Sequence, residues 1–158
     1  MTNLTGFTEA VLRDAPRFSL DDKFRFGCHP GVPCFNQCCR DVNLFLTPYD
    51  VLRLKNALGV SSEEFLERYT LLPFTKEQTL PTPILRMEDN EQKSCPFVTA
   101  DGCGVYNDRP WACRMYPLGL ASPRDERPGG GWSSDAPGEG DREFYFVLQE
   151  DACRGFEE

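Results

Sequence analysis

The chain lacks the features that would place it in a membrane or on a nucleic acid. Its 158 residues contain no apolar run near the roughly 18 to 20 residues that a membrane span requires. The first residues show neither the basic start nor the apolar stretch of a secretory signal. Acidic residues outnumber basic ones by 25 to 17, for a formal net charge of -8, which opposes binding to a phosphate backbone. We therefore expect a soluble, cytoplasmic protein with no nucleic-acid or membrane partner.

Histidine is also nearly absent, which narrows the catalytic chemistry. The single histidine, His29, gives no support for a Cys-His-Asn arrangement, and we expect it to be exposed, with a nitrogen ligand or proton carrier as the alternative. The carboxylates form no paired motif for acid-base work, and "PGGGW" at 128–132 lacks the Lys-Ser/Thr of a phosphate-binding loop. No catalytic residue is identifiable, and a role as an iron-sulfur oxidoreductase component stays open.

Cysteine is the residue type in excess, with eight in the chain. Four of them lie in "FGCHPGVPCFNQCCRD" at 26–41 and end on an adjacent pair, Cys38-Cys39. Disulfides would need an oxidising compartment, and neighbouring cysteines rarely meet disulfide geometry with each other. Buried inert thiols are a second alternative, but this stretch is not an apolar stripe. Metal ligation is favoured, since thiolates select zinc or iron-sulfur clusters and either centre usually takes four protein ligands.

A second cysteine region, "SCPFVTADGCGVYNDRPWACRMYPLGL", spans 94–120. Cys95 and Cys103 flank a turn whose Asp101-Gly102 pair suits a tight hairpin, and Pro110 can open a helical turn that carries Cys113. The spacings match neither a zinc ribbon nor a ferredoxin, so zinc and iron-sulfur both remain open. The adjacent pair at 38 and 39 slightly favours a cluster or polynuclear site, because neighbouring side chains often point apart.

Local signals predict two helices and little other regular structure. A helix over 48–58 begins with Thr47 as N-cap and ends at Gly59, and Val51, Leu54 and Leu58 should face the core, with Leu52 beside them. A second helix over about 62–70 has a capping-box signal at Ser61 and Glu64 and an apolar face of Phe65, Leu66 and Tyr69. The best strand candidates are "TPILRME" at 82–88 and "EFYFVLQ" at 143–149.

These elements predict a small α+β fold in which short helices and hairpins, with much irregular structure, surround a cysteine-rich metal centre. Residues 1–25 are expected to be an N-terminal arm, and 26–158 a single metal-binding domain. A flexible loop rich in Pro, Gly and Ser is expected at about 121–140.

The order of motifs along the chain resembles one known family. The quoted pieces are Cys28, Cys34, Cys38-Cys39, Thr47-x-x-Asp50, "EEFLERY", "CPF", "GCGVY", "RPWACRMYPL" and "CRGF". They resemble the YkgJ-type cysteine-cluster family, described as a zinc- or iron-chelating domain, of which the flagellin lysine methylase is a divergent relative. The chain shows no room for a methyl-donor domain, so we do not transfer that activity. The resemblance implies that the metal ligands are Cys28, Cys34, Cys38, Cys39, Cys95, Cys103, Cys113 and Cys153.

The chain departs from the family pattern in two places. The gap between Cys28 and Cys34 is wider than the family's usual Cys-x-x-Cys-Gly start, which leaves the role of these two open. The family also tends to continue beyond the last cysteine, so we expect that Glu158 is short of the natural end. Arg40, Arg109 and Arg114 are candidates to offset thiolate charge, and the aromatic rings expected to pack around the site are Tyr106, Trp111 and Tyr116.

The sequence thus predicts a metal-binding protein that uses cysteine thiolates. An iron-sulfur cluster, with [4Fe-4S] favoured, would serve electron transfer or redox sensing with a protein redox partner. The alternatives are a structural Zn²⁺ or interaction module and a metal carrier.

Overall fold

The computed structural model describes residues 16–73, 82–121, 143–148 and 150–157. These fall into two compact units. The cysteine unit comprises residues 25–115 and 150–157, and it contains all eight cysteines. The second unit comprises residues 16–24 and the described part of 116–148. The loop predicted at 121–140 lies outside the described residues apart from its first position, as does most of the predicted arm at 1–25.

A helical hairpin in the cysteine unit confirms the two predicted helices. Helix α1 spans Pro48–Leu58, and its cap Thr47 forms a reciprocal capping box with Asp50. Gly59 ends α1 at φ 68°, a left-handed conformation that glycine adopts without steric cost. Helix α2 spans Ser62–Tyr69, and Ser61 Oγ accepts the Glu64 N–H at 3.1 Å. A third helix, α3 at Trp111–Met115, is the predicted turn after Pro110.

The strands in the described residues form short antiparallel pairs. In the cysteine unit, β1 (Thr70–Leu71) pairs with β2 (Ile84–Leu85), and β3 (Val98–Thr99) pairs with β4 (Gly102–Cys103). The β3–β4 turn therefore consists of Ala100 and Asp101, one position earlier than predicted. In the second unit, β5 (Leu118–Ala121) pairs with β6 (Phe144–Val147), as expected for "EFYFVLQ".

One hydrophobic core lies within the cysteine unit. Its buried members are Leu46, Leu54, Phe65, Leu85, Phe97 and Val105. Val51, Leu58 and Tyr69 pack against them as predicted, whereas Leu52 is 47% exposed. Cys95 and Cys103 are also partly buried against this core. Two of the candidate ligands are thus held by ordinary apolar packing.

The second unit has its own small core of Ala121, Phe144 and Phe146. Phe18 extends its sheet through a bridge to Tyr145, with N···O distances of 2.8 and 3.2 Å. The fold class is therefore the predicted one: short helices and two-stranded antiparallel sheets among irregular segments. Within the described ranges, no helix has the length and apolar character needed to cross a membrane.

Candidate metal centre

The first cysteine loop is organised by consecutive turns rather than by a regular element. Backbone N–H groups of Phe35, Gln37 and Cys39 donate to the carbonyl groups of Val32, Cys34 and Asn36 respectively, at 2.9 to 3.2 Å. The last turn is a 3₁₀ helix over Gln37–Cys39. It presents Cys38 and Cys39 on successive positions, which in this helix differ by about 120° around the axis.

The C-terminal segment returns to this loop and brings Cys153 with it. Gly27 N–H donates to Gly155 O at 2.8 Å, and the rings of Phe26 and Phe156 lie 5.0 Å apart. The backbone N–H of Arg154 donates to Cys34 Sγ at 3.1 Å. The loop that carries Cys28 and Cys34 is thus in direct contact with the segment that carries Cys153, although this loop and this segment are far apart along the chain.

The second cysteine region joins the same loop at Cys39. Cys95 N–H donates to Cys39 O at 2.8 Å, so the two backbones are adjacent. Cys103 pairs with Val98 in the β3–β4 hairpin, and Gly104 N–H donates to Phe97 O at 2.8 Å. Cys95 and Cys103 are therefore placed on either side of one hairpin that is anchored in the hydrophobic core.

Helix α3 places Cys113, and a buried carboxylate fixes the start of that helix. Asp50 is 1% exposed; its Oδ2 accepts from the backbone N–H and hydroxyl of Thr47, while Oδ1 accepts the Trp111 N–H at 2.8 Å. Asp50 was expected only as part of the α1 start. Its second role joins residues 61 positions apart, and no local spacing rule could have indicated it.

The thiols lie close enough to affect one another electrostatically. Partial burial and then the charges of Cys38, Cys34 and Cys153 raise the pKa of Cys28. Burial and the charges of Cys95, Cys103 and Cys38 raise the pKa of Cys113 to about 12. Burial, with a contribution from Cys103, also raises the pKa of Cys95. Burial and mutual repulsion therefore favour the neutral thiols here, and a bound cation would favour the thiolates instead.

Cys38 and Cys39 interact with each other directly. The Cys38 thiol donates a hydrogen bond to the sulfur of Cys39, which lowers the pKa of Cys39 and raises that of Cys38. The charges of Cys95, Cys113 and Cys103 oppose ionisation of Cys39, while the charge of Glu150 acts on Cys38. The two sulfurs of the adjacent pair therefore experience different neighbouring charges, those of other cysteines at Cys39 and that of Glu150 at Cys38.

The other predicted site residues have mixed outcomes. Burial and neighbouring thiolates raise the pKa of Cys28 and Cys113, and the positive charge of Arg109 offsets a small part of that rise, which is the direction expected of a charge-offsetting arginine. His29 is exposed, as expected, and its Nδ1 accepts the Gly31 N–H at 3.2 Å. The prediction that Tyr106 and Trp111 are core aromatics is wrong: they are 60% and 43% exposed. The guanidinium of Arg109 lies 3.8 Å from the centre of the Tyr106 ring, on the surface.

The remaining predicted neighbours are Arg40, Arg114 and Tyr116. Arg40 lines an open cavity of about 550 Å³ formed mainly by residues 30–36 and 98–100. Arg114 is an exposed residue of α3, and Tyr116 belongs to the second unit. These placements give no support to a direct contact of Arg40 or Arg114 with a thiolate.

The donor set fits a soft metal in its chemistry. None of the eight cysteines, all within the described ranges, is in a disulfide, and Cys28 and Cys38 are exposed while the other six are partly buried. Within those ranges, no three His, Cys, Asp or Glu side chains already form a group that could hold a metal ion. A sulfur that accepts an amide N–H, as Cys34 does, can keep that hydrogen bond as a metal ligand, whereas the Cys38 thiol would have to lose the proton that it donates to Cys39.

Comparison with known proteins agrees with the metal-binding chemistry of the thiols. The CxxCxxCC family, described as "Putative zinc- or iron-chelating domain", matches residues 27–154, which is most of the chain and includes all eight cysteines. No curated protein and no solved structure gives a significant match. The chain belongs to this zinc- or iron-chelating family and binds metal through its cysteines.

Proposed function

We propose that the chain holds iron-sulfur cluster chemistry on its cysteines and serves electron transfer or redox sensing. The observation that carries this proposal is the donor set: eight unpaired thiols in one compact unit, with the only histidine turned back onto its own loop. Thiolates are the protein ligands that iron-sulfur clusters prefer, usually four to a cluster. When bound, such a cluster would accept or release single electrons without a bond being made to the protein's partner.

The surface near Cys113 supports exchange of electrons with a protein partner. Cys113 is partly buried on a five-residue helix, and the neighbouring Trp111 and Tyr106 are exposed. Aromatic side chains and arginine are enriched at protein interfaces, and Arg109 lies against Tyr106 here. This surface would allow a redox partner to approach within a short distance of the thiols.

Zinc is the second candidate, and one observation favours it. Cys39, Cys95, Cys103 and Cys113 come from a 3₁₀ helix, a hairpin and α3, and the two hairpin cysteines pack against the hydrophobic core. A structural zinc ion typically stabilises small domains by cross-linking such elements through four thiolates. The protein would then be an interaction module or a metal carrier rather than a redox protein.

Anaerobic purification followed by elemental analysis distinguishes these functions. Iron with acid-labile sulfide, together with brown colour and broad visible absorbance, supports the iron-sulfur proposal. Colourless protein with stoichiometric zinc would contradict it. Cys38→Ser and Cys113→Ser should each reduce the metal content, whereas the adjacent controls Gln37→Ser and Ala112→Ser should retain it. Full iron content in both cysteine variants would refute the proposed ligands.

A further inference from the structure

The eight thiols separate into two sets of four according to the segments that carry them. We call the set on the first loop and the C-terminal segment the tail group: Cys28, Cys34, Cys38 and Cys153. We call the set beside the hydrophobic core the core group: Cys39, Cys95, Cys103 and Cys113. Four thiolates are the usual complement of a zinc ion or an iron-sulfur cluster, so eight suffice for two centres.

Three contacts hold the tail group together. Gly27 N–H donates to Gly155 O, the Phe26 ring contacts the Phe156 ring at a tilted angle, and the Arg154 N–H donates to Cys34 Sγ. Gly155 permits this approach, since a Cβ there would lie 2.5 Å from Phe26 Cε2 and 2.7 Å from Gly27 O.

The core group is held by different elements. The Cys95 N–H donates a hydrogen bond to Cys39 O. Cys103 lies across the hairpin from Val98, and both Cys95 and Cys103 pack on the core. Cys113 enters on α3, whose first N–H is held by Asp50.

Cys38 and Cys39 stand at the division between the groups. Successive side chains of a 3₁₀ helix diverge by about 120°, so one helix can direct two adjacent sulfurs to two centres. Cys39 O accepts the Cys95 N–H at 2.8 Å, which joins Cys39 to the core group, and Cys38, the preceding position around the helix, is left for the tail group.

We infer, on the basis of the proposed function, that the chain holds two four-cysteine metal centres, with Cys38 a ligand of one and Cys39 a ligand of the other. The tail group forms the first centre and the core group forms the second. The adjacent pair is then the covalent link between two centres, and the 3₁₀ helix sets their separation.

Paired double variants test this division with cobalt(II) as the probe. Anaerobic titration, followed by thiolate-to-cobalt absorbance, should give about two equivalents bound by the unaltered apoprotein if each set of four thiolates takes one ion. Cys34→Ser combined with Cys38→Ser removes two ligands of the same group, so about half of the binding should remain. Cys34→Ser combined with Cys39→Ser removes one ligand from each group, so tight binding should be lost from both.

The outcomes separate the inference from the proposed function. If the two double variants lose the same share of cobalt, or if Cys34→Ser alone abolishes all binding, the division into two centres is wrong. If the unaltered chain binds no cobalt and purifies without zinc or iron, the proposed function itself fails. The retained half in the first double variant also shows that this variant is folded, since its remaining centre needs the hairpin and α3 together.

Discussion

The core group and the tail group differ in how much of their position is fixed by the fold alone. The core group uses a hairpin, a hydrophobic core and a helix anchored by a buried carboxylate. The tail group uses irregular turns and a terminal segment joined to them by one backbone hydrogen bond, one ring contact and one N–H to sulfur contact. We therefore expect metal to occupy a core group that the fold already positions, whereas the segments of the tail group should depend on metal for most of their order.

Removal of metal by a chelator is the largest test of this difference. Structural metal ions contribute on the order of 10 kcal/mol in small domains, comparable to the whole stability of a domain. Hydrogen exchange after chelation should rise first in residues 26–41 and 150–157, next in 95–117 and last in the α1–α2 hairpin. Exchange that rises first in the helical hairpin would contradict the account.

Asp50→Ala should be the most damaging single change outside the cysteines. It removes the acceptor for Thr47 and for the first N–H of α3, leaving two partly buried N–H groups without their partner, at about 3 kcal/mol in the free energy of unfolding. Metal should be lost first from the core group. Denaturant unfolding and cobalt titration measure the two effects.

Thr47→Ala is the matched control for Asp50→Ala. It weakens the α1 cap by about 1 kcal/mol but leaves the bond from Trp111 N–H to Asp50 in place. Cobalt binding by the core group should therefore persist. Equal loss of cobalt in the two variants would show that Asp50 acts only through α1 and not through α3.

Gly155→Ala should have the opposite selectivity to Asp50→Ala. It should reduce metal binding by the tail group and leave the core group occupied. The added Cβ would overlap Phe26 and the Gly27 carbonyl, and overpacking of this kind costs about 1 to 3 kcal/mol. About half of the bound cobalt should be lost. Gly59→Ala is the control, since it strains a left-handed position at the end of α1 but meets no atom within 4 Å.

Arg154→Ala should have the smallest effect. The side chain forms an exposed ion pair with Glu157 at 2.8 Å, and such pairs contribute less than about 1 kcal/mol. The contact with Cys34 comes from the backbone N–H, which alanine retains. Cobalt binding should be unchanged in titration; a loss as large as that of Cys34→Ser would assign a role to the guanidinium.

Local signals in the sequence were sufficient for the helices. Thr47, Pro48 and Gly59 define α1 to the residue, because caps and a helix-ending glycine act within a few positions. The hairpin was predicted one residue late. Gly102 was placed in the turn, yet it pairs in β4 at φ 122°, where a Cβ would lie 3.3 Å from the Phe35 ring.

The grouping of the thiols depends on contacts that sequence spacing does not encode. Cys34 meets the N–H of Arg154 across 120 positions, and Asp50 meets α3 across 61. The exposure of Tyr106 and Trp111 was also missed, because aromatic character predicts burial and does not reveal that Arg109 lies over the Tyr106 ring at the surface. Candidate ligands were identifiable by residue type, whereas their partners required the fold.

The most direct test of the account is the metal content of anaerobically purified protein in which Cys28, Cys34, Cys38 and Cys153 are all replaced by serine. The account predicts about half of the metal of the unaltered chain, retained by Cys39, Cys95, Cys103 and Cys113, with the α1–α2 hairpin still folded by circular dichroism. A variant that folds but holds no metal, or one that holds the full amount, would contradict it.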